Sequence, residues 1–160
     1  MEKWDAYLEN GEKTGRYLTR GQRPLPDGLY HLVVEVLVQH VDGHILFMKR
    51  DINKPSYPNY FEASAGGSAL AGESTEEAIL RELEEETGIT PLTLTFLARN
   101  LYRKDACFIE RFIATTDCPK SAVRLQEEET TDYCWVPLEQ LTDFIANHLV
   151  IPRQVELLKD

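Results

Sequence analysis

Cysteine is scarce in these 160 residues: only Cys107, Cys118 and Cys134 occur, an odd number with no Cys-x-x-Cys pair. That usage excludes a disulfide framework and a thiolate zinc site, and it suits a reducing compartment. Long hydrophobic runs are missing too. No segment approaches the roughly 18 apolar residues that a membrane-spanning helix requires. The opening MEKWDAYLENGEK is charged from its second residue and has no apolar signal core. The chain is therefore expected to be cytoplasmic, with no membrane partner. Positive charge is in short supply: 17 Lys and Arg stand against 27 Asp and Glu, a formal net charge of −10. Gripping a nucleic acid through its phosphates needs a basic face, so nucleic acid is not an expected partner. Small phosphorylated ligands are not excluded, because bound metal ions invert the local sign of a site. Internal repeats and low-complexity linkers are also absent, and the length is that of one domain, residues 1–160.

What is present reads as alternating strands and helices. Asn10–Gly11 lies between two short aromatic-containing runs, the signature of an N-terminal β-hairpin. HLVVEVLVQH and HILFMKR, separated by Asp42–Gly43, read as two adjacent core strands joined by a hairpin. A Pro-containing loop, INKPSYPNY, leads into the short extended piece FEASA. LTLTFLARNLY, ACFIERFIATT and DYCWVP have strand character. LEQLTDFIANHLV and PRQVELLKD have helical apolar spacing, the latter with Pro152 in its first turn. Strands on both sides of one strong helix predict an α+β fold with a mixed sheet packed between helices.

The strong helix is the chain's most informative stretch. Seven glutamates and one arginine fall within Glu73–Gly88. Ser74–Thr75–Glu76–Glu77 is a capping box and Gly88 sits where a left-handed C-cap glycine belongs, so the helix is expected from about Thr75 to about Thr87. Ile79, Leu80 and Leu83 are expected to face the core. Glu82 then meets Glu85 and Glu86 on one helical face, where like charges cost roughly 0.2–0.5 kcal/mol per pair. A divalent cation is the candidate to offset that cost. Arg81, four residues from both Glu77 and Glu85, is placed to orient them by ion pairs. Gly66–Gly67, read as a tight turn without Cβ atoms, lets a backbone carbonyl approach the same point. Mg²⁺ and Mn²⁺ want such hard oxygen ligands and keep waters that substrate phosphates replace.

Gly67, Glu73, Arg81, Glu82, Leu83, Glu85, Glu86, Gly88 and Ile89 fit Gx5Ex7REUxEExGU, where U is aliphatic. At ordinary residue frequencies that coincidence is rarer than about one in ten million per start position, which sets aside a merely solvated acidic face. The stretch 67–89 resembles the Nudix box without a mismatch. The resemblance implies a Nudix-like α/β/α sandwich and hydrolysis of nucleoside diphosphate derivatives or related organic diphosphates with Mg²⁺ or Mn²⁺. By motif position it makes Glu82, Glu85 and Glu86 metal ligands and Gly66 the carbonyl ligand. Arg81 becomes the residue holding the helix carboxylates, with Gly67 supporting the loop and Glu73 supporting the loop or a further cation.

Outside the box, the order WDAYLENGEKTG, YHLVVEVLV, ILFMKR, FEASAGG, DYCWVPLEQL is similar to the isopentenyl-diphosphate-isomerase-like branch. The resemblance is incomplete at the isomerase's own groups. Its cysteine position reads Ala65, a metal-ligand histidine reads Gly67, and its glutamate falls near Phe108, although His31 matches another metal ligand. Hydrolysis is therefore the first expectation, with isomerisation or a non-catalytic nucleotide-binding regulator as alternatives. For the general base there are two candidates, Glu82 and Glu129, the latter within QEEETTDYCWVP. Arg50 and Lys54 are candidates to meet substrate phosphates, as are Lys49, Arg20 and Arg23; Tyr57, Tyr60 and Phe61 are read as core packing or as a stacking surface. A homodimer is a common assembly for soluble proteins, and the sequence carries no signal for or against one.

Overall fold

Strands β1 (Lys3–Tyr7) and β2 (Lys13–Thr19) flank the Asn10–Gly11 turn in the computed structural model, which describes residues 2–22 and 24–158, the side chains of 156 and 157 excepted. Arg23, one of the candidate phosphate contacts, lies outside the described residues, as do the last two residues of PRQVELLKD. The hairpin has its own small core of Trp4, Ala6, Leu18 and Leu29.

The main sheet contains β3 (His31–His40), β4 (His44–Arg50), β5 (Phe61–Ala63) and β6 (Ala65–Ser68). After helix α1 (Thr75–Thr87) come β7 (Thr93–Tyr102), β8 (Cys107–Thr116) and β9 (Thr130–Pro137). Helices α2 (Leu141–Asn147) and α3 (Pro152–Leu158) end the described chain. The strand order is β5-β4-β3-β8-β7, with β6 paired to β3 and β9 to β4. β3 and β8 run parallel from His31↔Cys107 to His40↔Thr116, and the other pairs are antiparallel, so the sheet is mixed as expected.

The hairpin expected at Asp42–Gly43 is present, but its ladder is short. β3 and β4 share a single residue pair, Gln39↔Ile45, and then splay apart. The reason is competition for edges: β6 occupies β3 from Val33 to Val36, while β4 is taken by β5 and β9. Ser64 fills the branch point. Its buried hydroxyl accepts from the Val38 N–H at 2.7 Å and donates to the Leu46 carbonyl at 2.9 Å, satisfying two backbone groups that the splay would orphan.

Strand alternation divides the core into two layers. Leu32, Val34, Val36 and Val38 of β3 pack against Ala78, Ile79 and Leu83 of α1. On the other face Ile45 and Phe47 of β4 meet Phe144 of α2, Val150, and Val155 of α3. Helices cover both faces, giving α/β/α layers. Leu80 is a correction: it is 45% exposed. Ala78 takes its place in the buried stripe, because 100° per residue carries Leu80 round to the outer side with Glu76 and Glu84. Among the described residues no helix is long and apolar enough to cross a membrane.

Candidate active site

Local chemistry sets the helix limits. Ser74 accepts the Glu77 N–H and Glu77 accepts the Ser74 N–H, completing the capping box, and Gly88 closes the helix at φ 74°. Glu77 is thereby spent on the cap. Its expected ion pair with Arg81 is absent, and Arg81 turns to the preceding loop instead. Its guanidinium clasps Glu73 with Nε and Nη2 at 2.7 and 3.0 Å, and Nη2 also donates to the Ser68 carbonyl. Nη1 reaches Glu82 at 3.0 Å and Glu85 at 3.4 Å. One side chain thus ties loop and helix together, with Glu73 behind it. Burial pulls Glu73 upward, but the Arg81 and Leu70 hydrogen bonds outweigh it and leave the carboxyl below its ordinary pKa.

Gly66 and Gly67 are not in a turn, as the sequence reading had them; they lie in β6. Their lack of Cβ is still required, by proximity. A Cβ on Gly67 would sit 2.4 Å from Glu82 Oε1, and one on Gly66 would sit 2.8 Å from the Val34 carbonyl oxygen. β6 and α1 therefore press together where the acidic residues stand, and the Gly66 N–H donates to Glu86 at 3.2 Å.

Glu82, Glu85 and Glu86 border a cavity of about 510 Å³, together with Gly66, Gly67 and Arg81. Burial raises the Glu82 pKa. It raises Glu86 well above the carboxylate range, helped by the charges of Glu82 and Glu62. Among the described residues no three acidic, imidazole or thiol groups enclose a point by themselves. A donor set of hard carboxylate oxygens suits a hard divalent cation. Mg²⁺ and Mn²⁺ complete their shells with water and substrate rather than an all-protein cage.

Other residues at the cavity come from elsewhere in the chain. Arg50, Lys54 and Glu129 all border the same cavity. Lys54 Nζ contacts Glu129 at 2.7 Å, and Arg50 Nη1 contacts Glu62 at 3.0 Å. Arg20 is also present, paired with Glu2 at 3.2 Å. Lys49 is not: it points to the other face, over the Phe61 ring at 5.8 Å. Phe61 packs on Phe144 in the second core, whereas Tyr57 and Tyr60 pair with each other at 5.1 Å and stay outside both cores.

Sequence reasoning missed two components. Glu62, partly buried and raised in pKa by desolvation despite Arg50, borders the cavity from β5. The only sequence signal was a charge inside the short strand FEASA. The hairpin contributes Glu2 and Trp4 to another wall. Trp4 stacks on His31 with ring centroids 4.1 Å apart, and His31 Nδ1 lies 3.3 Å from the Ser68 hydroxyl. Two further bonds, Ala71 N–H to the Lys3 carbonyl at 2.8 Å and Gly72 N–H to Asp5 at 3.0 Å, tie the hairpin to the loop before α1.

A family model described as NUDIX domain matches residues 29–158. Over 152 residues the chain is 37% identical to an uncharacterized Nudix hydrolase of Listeria monocytogenes, covering 95% of this chain and 89% of that protein. An isopentenyl-diphosphate Delta-isomerase of Citrobacter koseri is 29% identical over 126 residues, covering 75% of this chain and 69% of that one. Among solved structures, DR0079 from Deinococcus radiodurans shares the fold with a TM-score of 0.79 at 22% identity, covering 99% of this chain and 98% of that one.

Proposed function

This chain belongs to the Nudix hydrolase family, and on that premise we propose that it cleaves the diphosphate linkage of a nucleoside diphosphate derivative or related organic diphosphate by attack of water on phosphorus. The observation that carries the reading is the meeting of both charges in one place: the carboxylates of Glu82, Glu85 and Glu86 border the same cavity as the cations Arg50 and Lys54. A diphosphate in that cavity would meet the basic donors directly and the carboxylates through Mg²⁺ or Mn²⁺. Gly66 would add its carbonyl to Glu82, Glu85 and Glu86 as ligands. When bound, such an ion neutralises diphosphate charge and lowers the pKa of a coordinated water.

The remaining work falls to the protein. Arg81 holds Glu82 and Glu85 against the loop, so the carboxylates need little reorganisation. Arg50 and Lys54 take non-bridging phosphate oxygens. The two candidates for the water's proton are Glu82, one oxygen of which is held by Arg81, and Glu129, one oxygen of which is held by Lys54. The hairpin lies outside the matched stretch yet walls the cavity, so the working domain is taken as the whole chain, 1–160.

Isomerisation of isopentenyl diphosphate is the second reading, favoured by the Citrobacter relative and by His31 at the cavity. It lacks a proton carrier, because Ala65 offers only a methyl group where a thiol is needed. A screen of nucleoside diphosphate derivatives and isoprenoid diphosphates with Mg²⁺ and Mn²⁺, read by mass spectrometry, separates the readings. Hydrolysis products that vanish in Glu85→Gln and Glu86→Gln, with the fold retained, support the first. Isomer exchange without phosphate release supports the second. Saturable binding with no product from any compound identifies a non-catalytic regulator.

A further inference from the structure

Arg50 leaves β4 on the same face as Glu62, because Met48 is directly opposite Glu62 and Arg50 lies two residues further on. Such diagonal neighbours across an antiparallel pair are within reach of long side chains. The guanidinium is held on two sides: Nε and Nη2 donate to the Ser56 carbonyl at 3.2 and 2.9 Å, and Nη1 donates to Glu62 at 3.0 Å. The Arg50 and Glu62 side chains are 15% and 21% exposed. Arginine carries five N–H donors. Three are engaged, which leaves two without a protein acceptor among the described residues, on a group that borders the cavity.

We propose that Glu62 is a positioning residue for substrate: it locks the Arg50 guanidinium with its two unspent donors toward the diphosphate. The inference rests on the diphosphate reading given above, but it concerns a residue outside the box. Without Glu62 the Ser56 carbonyl alone restrains Arg50, and the planar fork can rotate about that single anchor. Glu62 does not touch the reacting atoms. Its removal therefore weakens ground-state and transition-state binding alike, which raises KM and leaves kcat alone. Mis-aiming a hydrogen bond to a charged group corresponds to about a tenfold change in affinity.

The test uses the full-length chain and two readouts. One is kcat and KM for the best diphosphate substrate with Mg²⁺. The other is the Kd of inorganic pyrophosphate measured by calorimetry without metal, which stays informative if no substrate is turned over. Glu62→Ala is expected to raise both KM and the pyrophosphate Kd about tenfold, with kcat within twofold. Glu62→Met, which keeps side-chain volume, serves if the alanine variant does not fold. Glu62→Gln retains an acceptor for Nη1 and is expected to recover most of the loss. In an Arg50→Met background, removal of Glu62 is expected to add nothing, since the two act as one unit. An unchanged pyrophosphate Kd in Glu62→Met, an equal loss in Glu62→Gln, a fall confined to kcat, or a full additional loss in the Arg50→Met background would each overturn the proposal. A wild-type chain that binds pyrophosphate through Arg50 but hydrolyses nothing would overturn the hydrolase reading and leave this one standing.

Discussion

Adding a single methyl group at Gly67 separates catalysis from stability. In Gly67→Ala the new Cβ would lie 2.4 Å from Glu82 Oε1, 2.8 Å from its Cδ and 3.1 Å from Oε2. Gly67 sits in extended strand backbone, so conformational strain does not enter. The clash is with a carboxylate at the end of a flexible side chain, and the cheapest relief is for Glu82 to retreat by roughly 1 Å to ordinary contact. Doing so breaks its 3.0 Å bond to Arg81 and moves a proposed metal ligand and candidate base. Misplacing a catalytic group by about 1 Å costs on the order of 10²-fold in rate, near 2.7 kcal/mol of barrier. Stability should fall by less than about 1.5 kcal/mol, because no backbone has to move.

Gly66→Ala is the matched control. There the Cβ would meet the Val34 carbonyl oxygen at 2.8 Å, so β6 itself must shift from β3. Overpacking of that kind costs about 1–3 kcal/mol, or roughly 3–10 °C in Tm for a domain of this size. Metal-dependent turnover by mass spectrometry, paired with thermal unfolding of both variants, gives the comparison. Gly67→Ala retaining more than half of wild-type kcat/KM, or losing more Tm than Gly66→Ala, would refute the reasoning.

Other expectations follow from the same structure. Ser64→Ala leaves the Val38 N–H and the Leu46 carbonyl buried without a partner, at about 1–3 kcal/mol each; a urea-unfolding loss under about 1 kcal/mol would mean the splay is bridged some other way. Leu80→Lys should change stability by no more than about 0.5 kcal/mol while Ile79→Ala loses about 2–5 kcal/mol, a contrast that chemical denaturation reads directly. Burial pushes the Cys107 thiol up from 9.0 to about 11, with Asp105 adding to the rise. It should stay protonated and resist iodoacetamide at pH 8 in the folded protein. Unfolding frees it to ionise near its ordinary value, so its contribution to stability is whole below pH 9 and is lost as pH rises toward 11; rapid alkylation of native protein at pH 8 would contradict this.

The limits of α1 were legible in the sequence because they depend on contacts three to five residues apart: the Ser74–Glu77 box, the left-handed Gly88, and the spacing that groups Glu82, Glu85 and Glu86. The mixed sheet between helices was legible for a similar reason, since strand and helix periods are local properties of the chain. Several features were not. Whether HLVVEVLVQH and HILFMKR stay paired depends on which strand wins each edge, and β6, β5 and β9 arrive there from far along the chain. Whether Arg81 binds Glu77 or Glu73 depends on the loop that folds over it, since helical spacing permits the first and only the packed structure provides the second.

The remaining lining of the cavity is the clearest case of what lay beyond sequence. Arg50, Lys54, Glu62 and Glu129 carry no shared spacing; the pairing of β5 and β9 with β4 and the loop after Arg50 bring them together. Hydrophobic patterning says which residues are buried, and it is silent about which charged residues share one enclosed space. The sequence by itself therefore determined an acidic helix on an α+β scaffold. Only the tertiary structure decided which other charges share its cavity, because that is a property of distance in space.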